Sequence, residues 1–81
     1  MGLLRARLVG PVPSSEGIQA EVILIEPNGD EHSVRCLCRS NGSTDIGGDS
    51  EVLDYLNTKY GDQSVCGLAR DVTLGSTGGA L

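Results

Sequence analysis

The chain has 81 residues, of which 38% are hydrophobic and 21% charged, and its net charge is −5. This length allows one small domain and excludes a second, while the apolar fraction excludes a fully disordered chain. Because Tyr55 and Tyr60 are the only aromatic residues, the core has to be aliphatic. We expect a single domain over residues 1–74 and a flexible, glycine-rich tail over residues 75–81.

The first half of the chain predicts two strands joined by a loop. Residues 3–9 alternate apolar and basic side chains, which is the period of a half-buried strand. Residues 10–17 contain two glycines and two prolines and predict a turn-rich loop. Residues 18–26 are rich in β-branched side chains and predict the second strand.

The sequence Pro-Asn-Gly at residues 27–29 predicts a hairpin and allows two registers. A two-residue turn would place Val22 opposite Arg35, whereas a three-residue turn with a left-handed Gly29 places Val22 opposite Val34. Only the second register makes one face almost wholly apolar, so it is the one we predict. Its pairs are Leu24 with His32, Val22 with Val34, Ala20 with Cys36, Ile18 with Cys38 and, on the other face, Glu21 with Arg35.

The second half predicts a mobile connection, a helix and a last strand. Residues 39–48 are polar and glycine-rich, Asp49 is a good N-cap, and Gly61 stands where a helix commonly ends. Residues 64–74 are predicted to form the fourth strand, with Gly67 as a bulge. The apolar stripe of the helix consists of Val52, Leu53, Leu56 and Tyr60. The predicted fold is therefore α+β, an antiparallel-rich four-stranded sheet with one helix packed on one face, in the order β-β-β-α-β.

Three cysteines, Cys36, Cys38 and Cys66, could in principle join His32 in a zinc site. Structural zinc sites favour two-residue gaps in turns, whereas Cys36 and Cys38 are separated by one residue on a predicted strand and face the core. We therefore expect reduced thiols, no metal and no cofactor. The odd number of cysteines and the lack of a signal-peptide pattern or a membrane-spanning run favour a cytoplasmic protein.

Catalysis and nucleic-acid binding find little support in the sequence. His32 is the only histidine, and along a strand it lies about 13 Å from Cys36. That distance is too long for a nucleophile and base pair, unless Cys66 supplies the sulfur. No lysine follows the glycines before the helix, as a phosphate-binding loop would require. The arginine-bearing sheet has no aromatic platform for bases. We expect no catalytic residues and no direct contact with nucleic acid.

Two surfaces are candidates for binding a partner protein. Residues 1–39 carry four arginines against five acids, while residues 40–81 carry two basic residues against six acids, so the acidity belongs to the second half. The first candidate is the acidic start of the helix, with Asp45, Asp49, Glu51 and Asp54. The second is a mixed apolar and basic patch on the uncovered sheet face, with Ile23, Ile25, Arg35 and Leu37.

These features predict a small acidic, non-enzymatic module that binds another protein. One concrete form is an inhibitor or adaptor encoded by a phage or other mobile element, acting on a nucleic-acid-binding complex in the manner of an anti-CRISPR protein. Open sheet edges and a thin aliphatic core also predict a homodimer.

The alternative function comes from a resemblance. A hairpin, a helix and a strand followed by Gly78 and Gly79 are similar to ubiquitin-like folds and sulfur carriers, whose activated tail ends in two glycines. The resemblance implies a carrier protein. Because Ala80 and Leu81 follow the glycines, it also implies that the tail is trimmed before activation.

Overall fold

The computed structural model describes residues 3–75, and for residues 11–13 the backbone alone. Four strands are followed by two helices. Their bounds are Arg5–Ser14 for β1, Gly17–Ile25 for β2, Glu31–Arg39 for β3, Thr44–Gly47 for β4, Ser50–Tyr60 for α1 and Asp62–Leu74 for α2. The strands form one antiparallel sheet in the order β1-β2-β3-β4. The predicted α+β class and the four-stranded sheet are confirmed. The predicted tail beyond Gly75 lies outside the described residues, as do Gly78 and Gly79.

Strand β1 is longer than its sequence predicted, because residues 10–14 continue the strand instead of forming a loop. The register shifts between Leu8 and Gly10, so a bulge absorbs the irregularity. Pro11 and Pro13 lack an amide hydrogen, and a strand accommodates such residues at a sheet edge. β1 is an edge strand, which explains why the prolines do not end it.

The β2 and β3 hairpin has the predicted register throughout. Val22 pairs with Val34 and Glu21 with Arg35. Gly29 has φ 96°, and its amide donates a 2.8 Å hydrogen bond to the carbonyl of Glu26. The left-handed glycine therefore closes the three-residue turn and places Cys36 and Cys38 on the core face, where both are buried.

Helix α1 begins as predicted. Asp49 is its N-cap, and its carboxylate accepts a 2.9 Å hydrogen bond from the amide of Glu51. The amide of Gly61 donates to the carbonyl of Asn57 and ends the helix. Leu56 is fully buried, as the predicted apolar stripe requires.

The predicted strand over residues 64–74 is wrong, because this segment is helix α2. Val65, Ala69 and Thr73 are the buried residues, and their spacing of four is the period of a helix. A strand would have placed the exposed Asp71 on the same face as Val65 and Ala69. The helix collects the apolar side chains on one side, and α2 contacts all four strands.

The fourth strand lies instead within residues 39–48, the segment predicted to be a mobile connection. β4 has only four residues, too few to show a period, and it pairs Ile46 with Cys36 and Asp45 with Leu37. Both helices therefore follow the last strand. No strand follows a helix within residues 3–75, so the element order behind the ubiquitin-like resemblance is absent from the described fold.

The core lies between one face of the sheet and the helices. It is small and aliphatic, as the composition required. Its fully packed members are Ala20, Val22, Leu24, Val34, Cys36, Cys38, Leu56, Val65 and Ala69. Within residues 3–75, the opposite face of the sheet carries no helix, so this part of the fold leaves one broad surface available for contacts.

Candidate functional site

The open face of the sheet is composed of the side chains that alternate with the core residues. On β2 these include Ile23 and Ile25, and on β3 they include Arg35 and Leu37. The three apolar side chains are half-buried, whereas Arg35 is exposed. The structure thus brings together on one surface the four residues that the sequence assigned to the mixed patch.

Ion pairs lie at both ends of this face. Arg7 on β1 forms a 3.5 Å ion pair with Glu31 on β3, which means that the two side chains reach across β2. The two charged residues are the register partners of Ile23 and Ile25, respectively, so the pair lies beside both isoleucines. At the other end, Arg39 is paired with Asp45 on β4. Exposed pairs of this kind contribute little to stability, but they fix the charges at the rim.

Arg35 lies between these pairs without a partner of its own. Its cross-strand neighbour Glu21 accepts a 2.8 Å hydrogen bond from the hydroxyl of Ser33 instead. Within residues 3–75, the guanidinium of Arg35 makes no hydrogen bond and no ion pair. On its β4 side it lies opposite Gly47, which presents no side chain. Five N–H donors are therefore available at the centre of the face.

Two shallow hollows flank Arg35. One, of about 180 Å³, is lined by Leu37, Asp45 and Gly47 among others, and the second, of about 220 Å³, by Glu21, Ser33 and Gly48 among others. Each has Arg35 in its wall together with one acidic side chain. Asp45 is paired with Arg39, and Glu21 accepts from Ser33, so Arg35 is the charge of these walls that has no partner within residues 3–75. Leu37 offers apolar contact beside it.

The residues predicted at the acidic end of the helix separate into different roles. Asp49 caps α1, so its carboxylate is occupied. Asp45 belongs to β4 and pairs with Arg39. Glu51 and Asp54 are exposed on α1. All four residues are exposed, but within residues 3–75 only the carboxylates of Glu51 and Asp54 have no bonded partner.

A second polar cluster, which the sequence reasoning did not find, surrounds Glu26 at the end of the hairpin. Glu26 is only 1% exposed. Its Oε1 accepts hydrogen bonds from the Tyr55 hydroxyl at 2.7 Å, the Tyr60 hydroxyl at 2.8 Å and Lys59 Nζ at 3.1 Å, and its Oε2 lies 2.8 Å from His32 Nε2. The signal was present in the strand alternation, because residue 26 falls on the same face as the buried Leu24.

These donors keep Glu26 ionised. The hydroxyl of Tyr55 and the ring of His32 are the main causes that lower the pKa of Glu26 to about 2. An ionised carboxylate only accepts hydrogen bonds, so His32 donates through Nε2. A carboxylate with so low a pKa is a poor general base at neutral pH. We therefore assign the cluster to stability, since it joins α1 to the hairpin.

The cysteines form no metal centre with His32. Within residues 3–75, no group of three His, Cys, Asp or Glu side chains is placed to hold a metal ion. Cys36 and Cys38 are buried with their sulfurs 3.8 Å apart, and burial is the largest cause that raises the pKa of Cys36 to about 11. Cys66 lies on α2 and is half-buried.

Comparisons with protein-family models, with curated proteins and with solved structures found no match to this chain. In the described part of the chain, neither helix is long and apolar enough to cross a membrane.

Proposed function

We propose that this protein is a small non-enzymatic module that binds another protein through the open face of its sheet. The observation that carries the proposal is Arg35, an exposed guanidinium at the centre of the open face that has no partner within residues 3–75. On the same face Arg7 and Arg39 are paired, and Arg5 lies at a corner of the sheet. Arginine beside apolar side chains is the composition that protein interfaces favour.

The chemistry of this face selects a partner with an acidic side chain flanked by apolar ones. The carboxylate would bind Arg35, and the apolar side chains would pack on Ile23 and Leu37. A carboxylate makes two parallel hydrogen bonds with a guanidinium, so the contact fixes orientation as well as affinity. Gly47, opposite Arg35, leaves room for such a side chain.

The wider role that we propose is that of an inhibitor or adaptor encoded by a phage or other mobile element. Its target would be a nucleic-acid-binding complex, in the manner of an anti-CRISPR protein. The net charge of −5 supports this choice, because an acidic protein is attracted to a partner whose surface normally binds nucleic acid. Glu51 and Asp54 would strengthen the encounter from the helix side.

The test is capture of the partner from the native host, followed by binding measurements with the purified pair. The first step uses the native chain and identifies retained proteins by mass spectrometry. In the second step, Arg35→Glu is expected to weaken the binding of the identified partner by roughly a hundredfold, because it replaces a buried attraction with a repulsion. Ile23→Asp is expected to weaken it as well.

Arg70→Glu is the matched control. Arg70 is exposed on α2, on the other side of the sheet, so this variant makes the same change of charge away from the patch. The proposal fails if the native chain retains no protein, or if Arg70→Glu weakens binding as much as Arg35→Glu. It also fails if Glu51→Lys with Asp54→Lys abolishes binding while Arg35→Glu leaves it intact, because the binding surface would then be the helix.

A further inference from the structure

A trough runs along α2 on the helix side of the sheet. A cavity of about 560 Å³ lies between α2, α1 and β4, and its apolar lining includes Ile46, Leu53 and Val65. A second cavity, of about 280 Å³, has Leu74 in its lining. Arg70 belongs to the walls of both cavities, so the two adjoin at its side chain. Both are open to solvent on one side, and the first is large enough to receive a small ligand.

Two arginines line this trough, and in the described part of the chain Arg70 is the unpaired one, because Arg39 forms an ion pair with Asp45. Arg70 is exposed and, within residues 3–75, its side chain makes no hydrogen bond and no ion pair. The acid in the lining of the larger cavity is Asp62, eight residues earlier on α2 and therefore about 12 Å away along the helix axis. The smaller cavity has no acidic residue in its lining. An anion is thus attracted to Arg70, where the two cavities adjoin.

Gly67 keeps the larger cavity open. It lies inside the 13-residue helix α2, where glycine is the poorest helix former after proline. A Cβ built on Gly67 would meet no atom within 4 Å, so no neighbouring element requires a glycine at this position. Gly67 lines the cavity, and a larger side chain there would fill it. The helix therefore carries an unfavourable residue where that residue preserves an empty space.

We propose that this trough binds a small amphiphilic carboxylate. The carboxylate would pair with Arg70, and the apolar tail would lie on the half-buried Ile46 and Leu53. An uncharged polar head would lose the ion pair, and a carboxylate without a tail would leave the apolar lining in water. The site is separate from the open face of the sheet and does not depend on the proposed protein partner.

The test uses octanoate as the probe, octanol as the analogue without charge and acetate as the analogue without a tail. Binding is followed by amide chemical shifts and by protection of Cys66, the half-buried thiol in the cavity lining, from alkylation. Saturable binding of octanoate below its micellar concentration, together with protection of Cys66, supports the proposal. Equal binding of octanol, or no saturation with octanoate, overturns it.

Three variants locate the ligand. Arg70→Gln is expected to weaken octanoate binding roughly tenfold or more, because a charged hydrogen bond is lost. Gly67→Leu is expected to abolish binding while keeping the fold, since leucine favours the helix and fills free space. Arg5→Gln is the control and should bind as the native chain does. The proposal is wrong if Arg70→Gln or a folded Gly67→Leu binds octanoate with native affinity, or if Arg5→Gln weakens binding as much as Arg70→Gln.

Discussion

The hydroxyl of Tyr60 donates a 2.8 Å hydrogen bond to Oε1 of the buried Glu26, and so joins the last residue of α1 to the end of the hairpin, 34 positions earlier in the chain. Tyr55 and Lys59 donate to the same oxygen. Lys59 Nζ also lies 5.4 Å from the ring centre of Tyr55 and 5.6 Å from that of Tyr60. One carboxylate thus organises three side chains of α1.

We expect Glu26→Ala to destabilise the fold more than any single donor variant does. The change leaves two tyrosine hydroxyls and a lysine without their acceptor, and we expect the melting temperature to fall by roughly 10 °C or more. Tyr60→Phe removes one donor and should lower it by roughly 5 °C. Thermal unfolding followed by circular dichroism measures both. The exposed Glu31→Gln is the control, and a Glu26→Ala variant that melts like Glu31→Gln would contradict the role of the cluster.

The low pKa of Glu26 predicts how the free energy of unfolding changes with pH in the acidic range. Its pKa of about 2 in the folded state lies below the ordinary value of 4.5, so it stabilises the fold above about pH 4.5, and this contribution is lost as the pH falls toward 2. Urea unfolding of the native chain and of Glu26→Gln across this interval isolates the effect, because every other carboxylate is common to both. The native stability should fall more steeply. Parallel curves for the two proteins would refute the prediction.

Alkaline conditions should also destabilise the Glu26 cluster, through loss of protons from Lys59 and Tyr60. The Tyr55 hydroxyl and the Glu26 carboxylate raise the pKa of Lys59, and burial and the same carboxylate raise the pKa of Tyr60. The stability contributed by these groups is present below their ordinary values, 10.5 and 10.0, and is lost as the pH rises through the raised ones. Urea unfolding should therefore become easier at high pH, and less so in Lys59→Met than in the native chain. An equal loss in both proteins would contradict this assignment.

The hairpin could be predicted from sequence because local and global preferences agree there. Only one register places the left-handed Gly29 in the turn and Val22 opposite Val34. α2 is harder to predict, because residues 64–74 contain β-branched residues and a glycine, which are typical of a strand with a bulge. The spacing of four between Val65 and Ala69 is the one local sign of a helix. Tertiary packing decides such a segment, since only the helix brings its apolar side chains together on the sheet.

The sequence predicts which residues lie on the open face, but not which of its charged side chains form ion pairs. Alternation along β2 and β3 is enough to place Ile23 and Arg35 on the same surface. The pairing of Asp45 with Arg39, however, depends on β4, a four-residue strand that periodicity does not reveal. The Glu26 cluster needed long-range information, because its donors come from α1 and the sequence does not show where that helix meets the hairpin.

Substitution by alanine should lower the free energy of unfolding by different amounts at Gly17 and at Gly29. A Cβ on Gly17, at φ 150°, would lie 2.2 Å from the carbonyl oxygen of Cys38, so backbone has to move. A Cβ on Gly29, at φ 96°, would meet no atom within 4 Å. We expect Gly29→Ala to cost about 1–2 kcal/mol from the left-handed conformation alone, and Gly17→Ala to cost on the order of 3 kcal/mol or more. Urea unfolding measures both. Equal losses would mean that β2 and β3 do not approach as closely at Gly17 as described.

The three thiols should react in two separate phases. Cys66 is half-buried on the helix surface, whereas Cys36 and Cys38 are buried beneath it, and burial raises the pKa of Cys36 to about 11. At about pH 8, a thiol reagent should therefore modify one cysteine rapidly and the other two only as the protein unfolds. The rapid phase should disappear in Cys66→Ser, and all three cysteines should react at once in concentrated urea. If two cysteines of the native chain react rapidly, one of them must be Cys36 or Cys38. The sheet face that carries these thiols would then be open to solvent, and the helices would not enclose it as described.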